Sequence, residues 1–323
     1  MRRRRTPFAA VAQARKVVCR MLPLADASSF LASRYGTRAG RLAALGAGEW
    51  SSAYAFTLDG ADTVARFGRY GDDFAKDRIM AAHGSTRLPI PRVLDLGEAP
   101  GGYFAVSTRV DGAPIDDLDA TAMRAVLPSL FTALDALAEV EVAAQAGFGG
   151  WGPDGIGSSP TWSAAILSVA ADRLGDWRAK LEASPVGTRP LDRGLAKLQE
   201  LARGLPDIQG VIHGDLLHYN VFANGSAISG LIDWGNSLYG DTLYDAAWLI
   251  FWWPWYPKWA TIDIRAELQR HWASRGAVPP DLHHRLRCYQ LRIGLDHMAW
   301  YAWKGNMHHL SRCARQTLEL ATG

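Results

Sequence analysis

Cysteines are scarce in this sequence: it has three, Cys19, Cys288 and Cys313, among 323 residues. Their number is odd, and their spacing matches neither a zinc site nor a Cys-x-x-Cys redox pair. A scaffold held together by disulfides is therefore excluded. A reducing cytoplasm is the compartment that fits this cysteine usage best.

Long apolar runs are also absent. The longest apolar neighbourhood, residues 246–255, is broken by Pro254 and falls well short of the roughly 18 residues that a membrane-spanning helix needs. With 48% hydrophobic and 21% charged residues, the composition is that of a globular chain with a large core. We expect no membrane partner.

Several familiar catalytic motifs are missing as well. The sequence contains no G-x-x-x-x-G-K-[ST], G-x-S-x-G or H-E-x-x-H, which argues against a P-loop enzyme, a serine hydrolase and a zinc protease. Residues 147–152 match G-x-G-x-x-G formally. A predicted helix precedes them and Pro153 follows, so they are not a dinucleotide-binding turn.

Basic residues are concentrated at the start of the chain. Residues 1–20 hold seven of the 35 Lys and Arg residues and no acidic one, which leaves 28 basic against 32 acidic residues in the remainder. Nucleic-acid binding requires a basic face on the folded body, so we expect no nucleic-acid partner. We interpret residues 1–25 as a basic N-terminal tail.

The first part of the chain has the pattern of a β-sheet. Between residues 42 and 110, apolar and β-branched segments alternate with glycine turns, and Asp59-Gly60 is a typical hairpin signal. One segment, residues 73–83, is compatible with a helix. This part predicts an antiparallel sheet that carries one helix.

Helical periodicity dominates the rest of the chain. From residue 122 onward apolar residues recur at helical spacing, except over 211–233, where short strands flank polar turns. Helices are predicted at 122–143, 162–175, 189–204, 243–253, 260–274, 281–304 and 307–321. The patterns together predict an α+β fold with a small antiparallel β lobe over 26–110, which would bind nucleotide, and a larger, mostly helical lobe over 111–323.

The strongest motif is H-G-D-L-L-H-Y-N at residues 213–220, followed 13 residues later by a second aspartate. Phosphoryl transfer needs a carboxylate that orients or deprotonates the attacking hydroxyl, and it needs oxygen ligands for Mg²⁺. The spacing predicts Asp215 as the catalytic carboxylate and Asn220 and Asp233 as the Mg²⁺ ligands. We expect His213 to order the loop. A polar loop that only satisfies its own turn is the alternative.

Several segments of the sequence resemble the aminoglycoside phosphotransferase family. Beside the 213–220 loop, the matching segments are 48–49, 76–78, 147–149, 152–153, 155–157, 161–162, 232–234, 240–245, 251–255 and 291–296. The resemblance extends from about residue 42 to residue 315. It implies a bilobal protein-kinase-like fold and an enzyme that confers antibiotic resistance. We expect this enzyme to be cytoplasmic and monomeric. The resemblance also implies ATP and Mg²⁺ as cofactors and an aminocyclitol hydroxyl, that of hygromycin B, as the acceptor.

The turn at residues 46–52 is predicted to cover the ATP phosphates. Small residues there let main-chain N–H groups approach an anion, and Gly48, Ser51 and Ser52 are the candidate contacts. The turn lacks a complete G-x-G-x-x-G, so an ordinary hairpin loop is the alternative.

Four further residues are predicted to bind the nucleotide. Arg66 takes the place of the β3 lysine of protein kinases, and its guanidinium can pair with phosphate oxygens and with Asp77 on the next helix. A surface salt bridge is the alternative for both. Thr108 and Val110 fall in the expected hinge, where main-chain carbonyl and N–H groups could recognise adenine.

Tryptophans that follow the catalytic loop are candidate acceptor contacts. Trp252 and Trp255 match the resemblance, and their rings suit stacking on sugar faces, although core packing is the alternative. Asp296 could accept hydrogen bonds from amines or hydroxyls of the acceptor, or form a structural pair. For Asp241 and Asp245 we predict a structural role in holding the catalytic loop and capping the next helix.

Two other functions remain open at this point. The same chemistry could act on a sugar or amino-alcohol metabolite, because acceptor pockets diverge faster than phosphate-binding machinery. The chain could also be a nucleotide-binding module without activity, although all three of the predicted key oxygen-bearing residues are present.

Overall fold

The structure is a computed structural model that describes residues 22–47, 51–169 and 174–323. The chain divides into two compact units. Of the described residues, those between 22 and 136 and those between 217 and 237 form what we call the sheet unit. Those between 137 and 216 and between 238 and 323 form the helical unit.

The described residues form both strands and helices, numbered in chain order. The strands are β1 (Ala43–Ala47), β2 (Ser51–Leu58), β3 (Ala61–Gly68), β4 (Val93–Ala99), β5 (Gly102–Thr108), β6 (Ala113–Pro114), β7 (Phe148–Trp151), β8 (Gly157–Ser159), β9 (Gly210–Ile212), β10 (Val221–Asn224), β11 (Ala227–Leu231) and β12 (Leu238–Gly240). The α-helices are α1 (Leu24–Tyr35), α2 (Gly71–Ala81), α3 (Ala120–Ala138), α4 (Trp162–Leu167), α5 (Trp177–Glu182), α6 (Arg189–Ala202), α7 (Leu243–Trp252), α8 (Ile264–Ser274), α9 (Leu282–Lys304) and α10 (Met307–Thr322).

The sheet unit is built on a five-stranded antiparallel sheet in the order β1-β2-β3-β5-β4. The β2–β3 hairpin turns at Asp59 and Gly60, whose φ angles of 53° and 81° are typical of a two-residue hairpin turn. One face of the sheet packs against α1 in a cluster that contains Ala27, Leu31, Tyr54, Phe56, Phe67 and Phe104. A second sheet, in the order β11-β10-β6, completes the strands of the unit.

The helical unit combines a four-stranded sheet, in the order β8-β7-β12-β9, with helices α4 to α10. All ten residues of α7 are buried, which agrees with its apolar sequence on every face. Trp162 at the start of α4 lies so close to Gly240 that a Cβ on that glycine would fall 2.3 Å from the indole ring. Only glycine at this position allows the indole to pack on β12.

A buried polar network ties α7 to α9 in this unit. The Asp241 carboxylate accepts hydrogen bonds from the Leu243 N–H at 3.1 Å and from the Arg285 Nε at 2.7 Å. The Tyr289 hydroxyl also donates to Asp241, and it accepts a hydrogen bond from Trp162 Nε1 at 2.9 Å. The predicted structural role of Asp241 is confirmed for the start of α7, where the carboxylate accepts the Leu243 N–H.

Most of the predicted elements are present. The helix predicted at 281–304 is α9, and the strand pieces expected within 211–233 are β9, β10 and β11. The helix predicted at 162–175 is wrong in length, because α4 ends at Leu167. Residues 1–21 of the predicted tail lie outside the described residues. No helix among the described residues has both the length and the apolarity needed to cross a membrane.

Replacement of Arg285 by methionine should destabilise the protein strongly. Arg285 is 4% exposed and its partner Asp241 is 1% exposed, so the substitution leaves a buried carboxylate without its cation, at a cost of about 3–5 kcal/mol. Urea denaturation measures the free energy of unfolding. The control is Arg270→Met, which removes an ion pair with Glu267 on the exposed surface of α8 and should cost less than about 1 kcal/mol. Equal losses for the two variants would contradict the prediction.

Candidate active site

The first part of the catalytic loop follows β9 in the helical unit. Asp245 on α7 accepts hydrogen bonds from the N–H groups of His213 and Gly214 at 2.8 and 2.9 Å. The imidazole Nδ1 of His213, which is fully buried, accepts the N–H of Asp215 at 3.2 Å. These three bonds fix the main chain at Asp215, and they confirm that Asp245 holds the loop.

Asp245 is held in an apolar environment. Burial raises the pKa of Asp245 to about 7, and the charge of Asp215 acts in the same direction. The two N–H donors oppose this rise because they favour the ionised carboxylate. The position of the loop therefore depends on hydrogen bonds to the Asp245 carboxylate, although burial makes the ionised form of this carboxylate less favourable.

The second part of the loop, residues 217–220, belongs to the sheet unit. Here His218 and Tyr219 have left-handed φ angles of 63° and 70°. The two carboxylate oxygens of Asp116, which is 4% exposed, accept the N–H groups of these residues at 2.9 Å each. Sequence reasoning missed Asp116, because its role depends on contacts between segments about 100 residues apart.

The two predicted Mg²⁺ ligands lie at the same end of the β10–β11 pair. The carbonyl of Asn220 accepts the N–H of Ile232 at 2.9 Å, and Asp233 follows directly. The Asn220 side chain is nearly buried, whereas the carboxylate of Asp233 is 51% exposed. An amide oxygen and a carboxylate are hard ligands of the kind that Mg²⁺ prefers. The described residues contain no group of three or more His, Cys, Asp or Glu side chains suited to a metal, so phosphate and water oxygens would supply the remaining ligands.

Arg66 and Asp77 pair as predicted. The guanidinium of Arg66 on β3 donates a hydrogen bond to the Asp77 carboxylate on α2, and its Nη1 lies 3.8 Å from Asp233 Oδ1. The Arg66 guanidinium also lies over the Phe74 ring, 5.2 Å from the centroid. The other oxygen of Asp77 accepts the Trp234 N–H at 2.9 Å. Burial raises the pKa of Asp77 to about 6, against the opposing effect of Arg66.

Lys76 is a second residue that sequence reasoning did not assign. Its Nζ donates to the carbonyls of Gly235 and Ser237, at 2.8 and 3.2 Å, and the side chain is 6% exposed. Burial lowers the pKa of Lys76 to about 8. Residues 73, 76 and 77 lie on one face of α2, and this i, i+3, i+4 spacing of charged residues was the available signal.

The predicted phosphate-covering turn is described only in part, since Gly48 lies outside the described residues. Ser51 begins β2, and Ser52 is 2% exposed, with a hydroxyl that has no hydrogen-bond partner among the described residues. In the expected hinge, the N–H of Thr108 donates to the Arg92 carbonyl at 3.0 Å. This N–H is therefore already paired with main chain, which leaves the Thr108 carbonyl and the Val110 N–H as the candidate groups. The predictions for Thr108 and Val110 remain predictions.

The predicted acceptor residues belong to the helical unit: Trp252 ends α7, Trp255 lies in the 3-10 turn that follows, and Asp296 lies on α9. Trp252 is 1% exposed and packs edge-on against Trp255, with ring centroids 4.9 Å apart, so its position favours core packing. Trp255 is partly exposed, and its ring stacks on Tyr301 at 6.2 Å. Asp296 forms an ion pair with Arg292 one turn earlier on α9, at 2.7 Å.

Tyr301 is a further candidate that the sequence did not single out. Burial raises its pKa, and the charge of Asp215 is one of the contributions that raise it. The ring of Tyr301 also lies 5.3 Å from that of His309. Tyr301 thus links the aromatic group around Trp255 to the surroundings of Asp215.

Comparisons with known proteins identify close relatives. Residues 41–286 match the family described as phosphotransferase enzyme family. Hygromycin-B 4-O-kinase from Escherichia coli is 33% identical over 266 residues, which covers 81% of this chain and 75% of the relative.

Comparison with solved structures also finds phosphotransferases. The chain is similar to a crystal structure of a thermostable mutant of aminoglycoside phosphotransferase APH(4)-Ia in a ternary complex with AMP-PNP and hygromycin B. The TM-score is 0.79 with 31% identity, covering 91% of this chain and 97% of that one. A crystal structure of APH(4)-Ia gives a TM-score of 0.81 with 30% identity, covering 93% and 98% of the two chains. The predicted α+β, protein-kinase-like fold is confirmed.

The buried ammonium group of Lys76 should give the protein a measurable pH dependence. Between pH 8 and 10.5 Lys76 keeps its ammonium proton in the unfolded chain but loses it in the folded protein. The free energy of unfolding therefore increases as the pH rises through this range. From pH 7 to about pH 9.5 wild type should gain about 2 kcal/mol relative to Lys76→Met.

Urea unfolding at the two pH values measures this difference. The exposed Lys258 provides the control, because Lys258→Met should follow wild type at both pH values. A stability difference between wild type and Lys76→Met that does not change with pH would contradict the prediction.

Proposed function

The chain belongs to the phosphotransferase enzyme family, and we propose that it transfers the γ-phosphoryl group of ATP to a hydroxyl of an aminocyclitol antibiotic. Hygromycin B is the proposed acceptor, and resistance to it the proposed outcome. Support comes from the 33% identity to a hygromycin-B 4-O-kinase over most of both chains. The similarity to a structure that binds AMP-PNP and hygromycin B supports ATP as the phosphoryl donor.

The observation that carries the proposal is the Arg66–Asp77–Asp233 group in the sheet unit. The Arg66 guanidinium is held between the Asp77 carboxylate, which is 12% exposed, and Asp233, so it is preorganised to pair with phosphate oxygens. Asn220 and Asp233 supply the two protein oxygens that would hold Mg²⁺, whose chemical contribution is to neutralise charge on the phosphates. We propose that ATP binds to the sheet unit through these residues, with Ser51 and Ser52 near its phosphates.

In the proposed reaction, Asp215 orients the acceptor hydroxyl and takes its proton. The hydroxyl oxygen forms a bond to the γ-phosphorus as the bond to the β-phosphate oxygen breaks, which yields the phosphorylated acceptor and ADP. His213 and Asp245 act indirectly, because their hydrogen bonds fix the main chain on either side of Gly214. A main chain fixed in this way limits the reorganisation that Asp215 needs before it can accept the proton.

The acceptor is proposed to bind to the helical unit. Trp255 and Tyr301 offer stacked aromatic faces, which suit the apolar faces of sugar and cyclitol rings. Asp296 would attract the ammonium groups of an aminocyclitol, with Arg292 setting its orientation. We further propose that the enzyme is a monomer and that it is cytoplasmic. The location agrees with ATP as the proposed donor and with the free thiols of the described cysteines, Cys288 and Cys313.

Mass spectrometry of hygromycin B after incubation with enzyme, ATP and Mg²⁺ tests the proposal directly. The drug should gain about 80 Da, the mass of one phosphoryl group added in place of a proton. A parallel panel of sugars and amino alcohols tests the metabolite alternative. Turnover with one of them but not with the antibiotic would overturn the acceptor assignment, and absence of turnover with every acceptor would overturn the proposed function.

Substitution of Asp215 by asparagine should lower kcat by roughly 10²–10⁴. Asparagine has nearly the same shape but cannot accept the hydroxyl proton, so AMP-PNP affinity should change by less than about twofold. Steady-state kinetics and calorimetric titration measure the two effects. Asp192→Asn removes an exposed carboxylate on α6 and serves as the control. Full turnover by Asp215→Asn would remove this residue from the mechanism.

Truncation of Trp255 to alanine should weaken binding of the acceptor. An aromatic contact contributes about 0.5–1.5 kcal/mol beyond its buried area, so KM for hygromycin B should rise by up to about tenfold while AMP-PNP affinity is unchanged. Trp303→Ala, at a partly exposed tryptophan near the end of α9, is the matched control. An unchanged KM in Trp255→Ala would argue against a contact between this ring and the acceptor.

A further inference from the structure

Two consecutive residues of the catalytic loop have a backbone conformation that is unfavourable for them. His218 and Tyr219 have φ angles of 63° and 70°, and side chains with a Cβ rarely adopt such values. Two such residues in succession persist only where the surrounding contacts determine them. The position of this turn therefore needs a physical cause outside the turn itself.

Asp116 supplies that cause. Its Oδ1 accepts the N–H of His218 and its Oδ2 accepts the N–H of Tyr219, both at 2.9 Å. The carboxylate is nearly buried, at 4% exposure. Hydrogen bonds to an ionised acceptor are stronger than those between neutral groups. One buried side chain thus holds both strained residues at once.

The place of Asp116 in the fold makes this contact rigid. The residue follows β6, and β6 pairs with β10 through Pro114 opposite Phe222 and Ala113 opposite Ala223. Strand β10 begins one residue after Asn220, and the Asn220 carbonyl accepts the Ile232 N–H at 2.9 Å. Asn220 is therefore fixed on its C-terminal side by the β10–β11 pair and on its N-terminal side by the turn that Asp116 holds.

We propose that Asp116 is a positioning residue that holds the left-handed His218–Tyr219 turn and thereby orients Asn220 toward Mg²⁺. The metal part of this inference rests on the proposed function. A carboxylate is required because both contacts are N–H donors. An asparagine or glutamine would present its own N–H group to one of the two, which replaces an attraction by a repulsion.

Asp116→Asn tests the proposal by the Mg²⁺ dependence of AMP-PNP binding. Residues that orient metal ligands typically change metal affinity by 10–100-fold when substituted, so the Mg²⁺ concentration for half-maximal binding should rise about tenfold or more. Nucleotide binding measured in EDTA should stay within about twofold of wild type. The matched control is Asp117→Asn, which removes the neighbouring, exposed carboxylate and should leave both values unchanged.

A second variant separates positioning from a general loss of stability. Glycine adopts left-handed φ angles without steric cost, so Tyr219→Gly introduced into Asp116→Asn should restore part of the Mg²⁺ affinity. A structural role alone would lower the melting temperature of Asp116→Asn without shifting its Mg²⁺ midpoint. An unshifted midpoint, or a double variant with no recovery, would overturn the proposal.

Amide hydrogen exchange gives a readout that needs neither nucleotide nor turnover. The peptide that contains residues 217–220 should exchange at least about tenfold faster in Asp116→Asn than in wild type, and Asp117→Asn should match wild type. Equal exchange in Asp116→Asn would show that Asp116 does not hold the turn. If wild type failed to bind AMP-PNP with Mg²⁺, the proposed function would fail by itself, while the exchange result would still decide the role of Asp116.

Discussion

Three carboxylates, two of them buried and one largely buried, hold the loops that carry the candidate site by accepting main-chain N–H groups. Asp245 accepts N–H groups just before Asp215, Asp116 accepts those just before Asn220, and Asp77 accepts the one just after Asp233. The three carboxylates lie in different parts of the fold: Asp245 is on α7, Asp116 follows β6 and Asp77 is on α2. Each of them binds an N–H group directly next in the chain to a residue that is predicted to act in phosphoryl transfer.

A polar loop outside a sheet needs hydrogen-bond partners for its main-chain N–H groups, and these carboxylates provide them. Its N–H groups have no ladder partners, and each buried N–H left unsatisfied would cost about 1–3 kcal/mol. A carboxylate satisfies two of them at once, but burial opposes its charge and raises the pKa of Asp245 and of Asp77. At Asp77 the cation Arg66 compensates in part. The loops thus gain a fixed geometry at some cost in stability, as functional sites commonly do.

The sequence was sufficient to predict features encoded locally or by motif spacing. The Asp59-Gly60 hairpin, the long helix α9 and the Arg66–Asp77 pair all follow from short patterns. The contacts of Asp116 and Lys76 could not be found in this way. Asp116 contacts residues 102 and 103 positions away, and Lys76 contacts carbonyls 159 and 161 positions away. The spacing of charged residues on α2 marks Lys76 as a candidate, but the sequence does not show the partner of either residue until the strands are paired.

The two units also divide the chemistry between them. Arg66, Asp77, Asn220 and Asp233 belong to the sheet unit, whereas Asp215 and the candidate acceptor residues Trp255, Asp296 and Tyr301 belong to the helical unit. If these assignments hold, substitutions at Trp255 and on α9 would change the acceptor without altering the residues proposed to bind ATP. This separation explains how one phosphate-binding arrangement can serve many acceptors. The candidate determinants of acceptor choice lie within residues 243–322, where the Trp255 ring stacks with those of Tyr301 and His309.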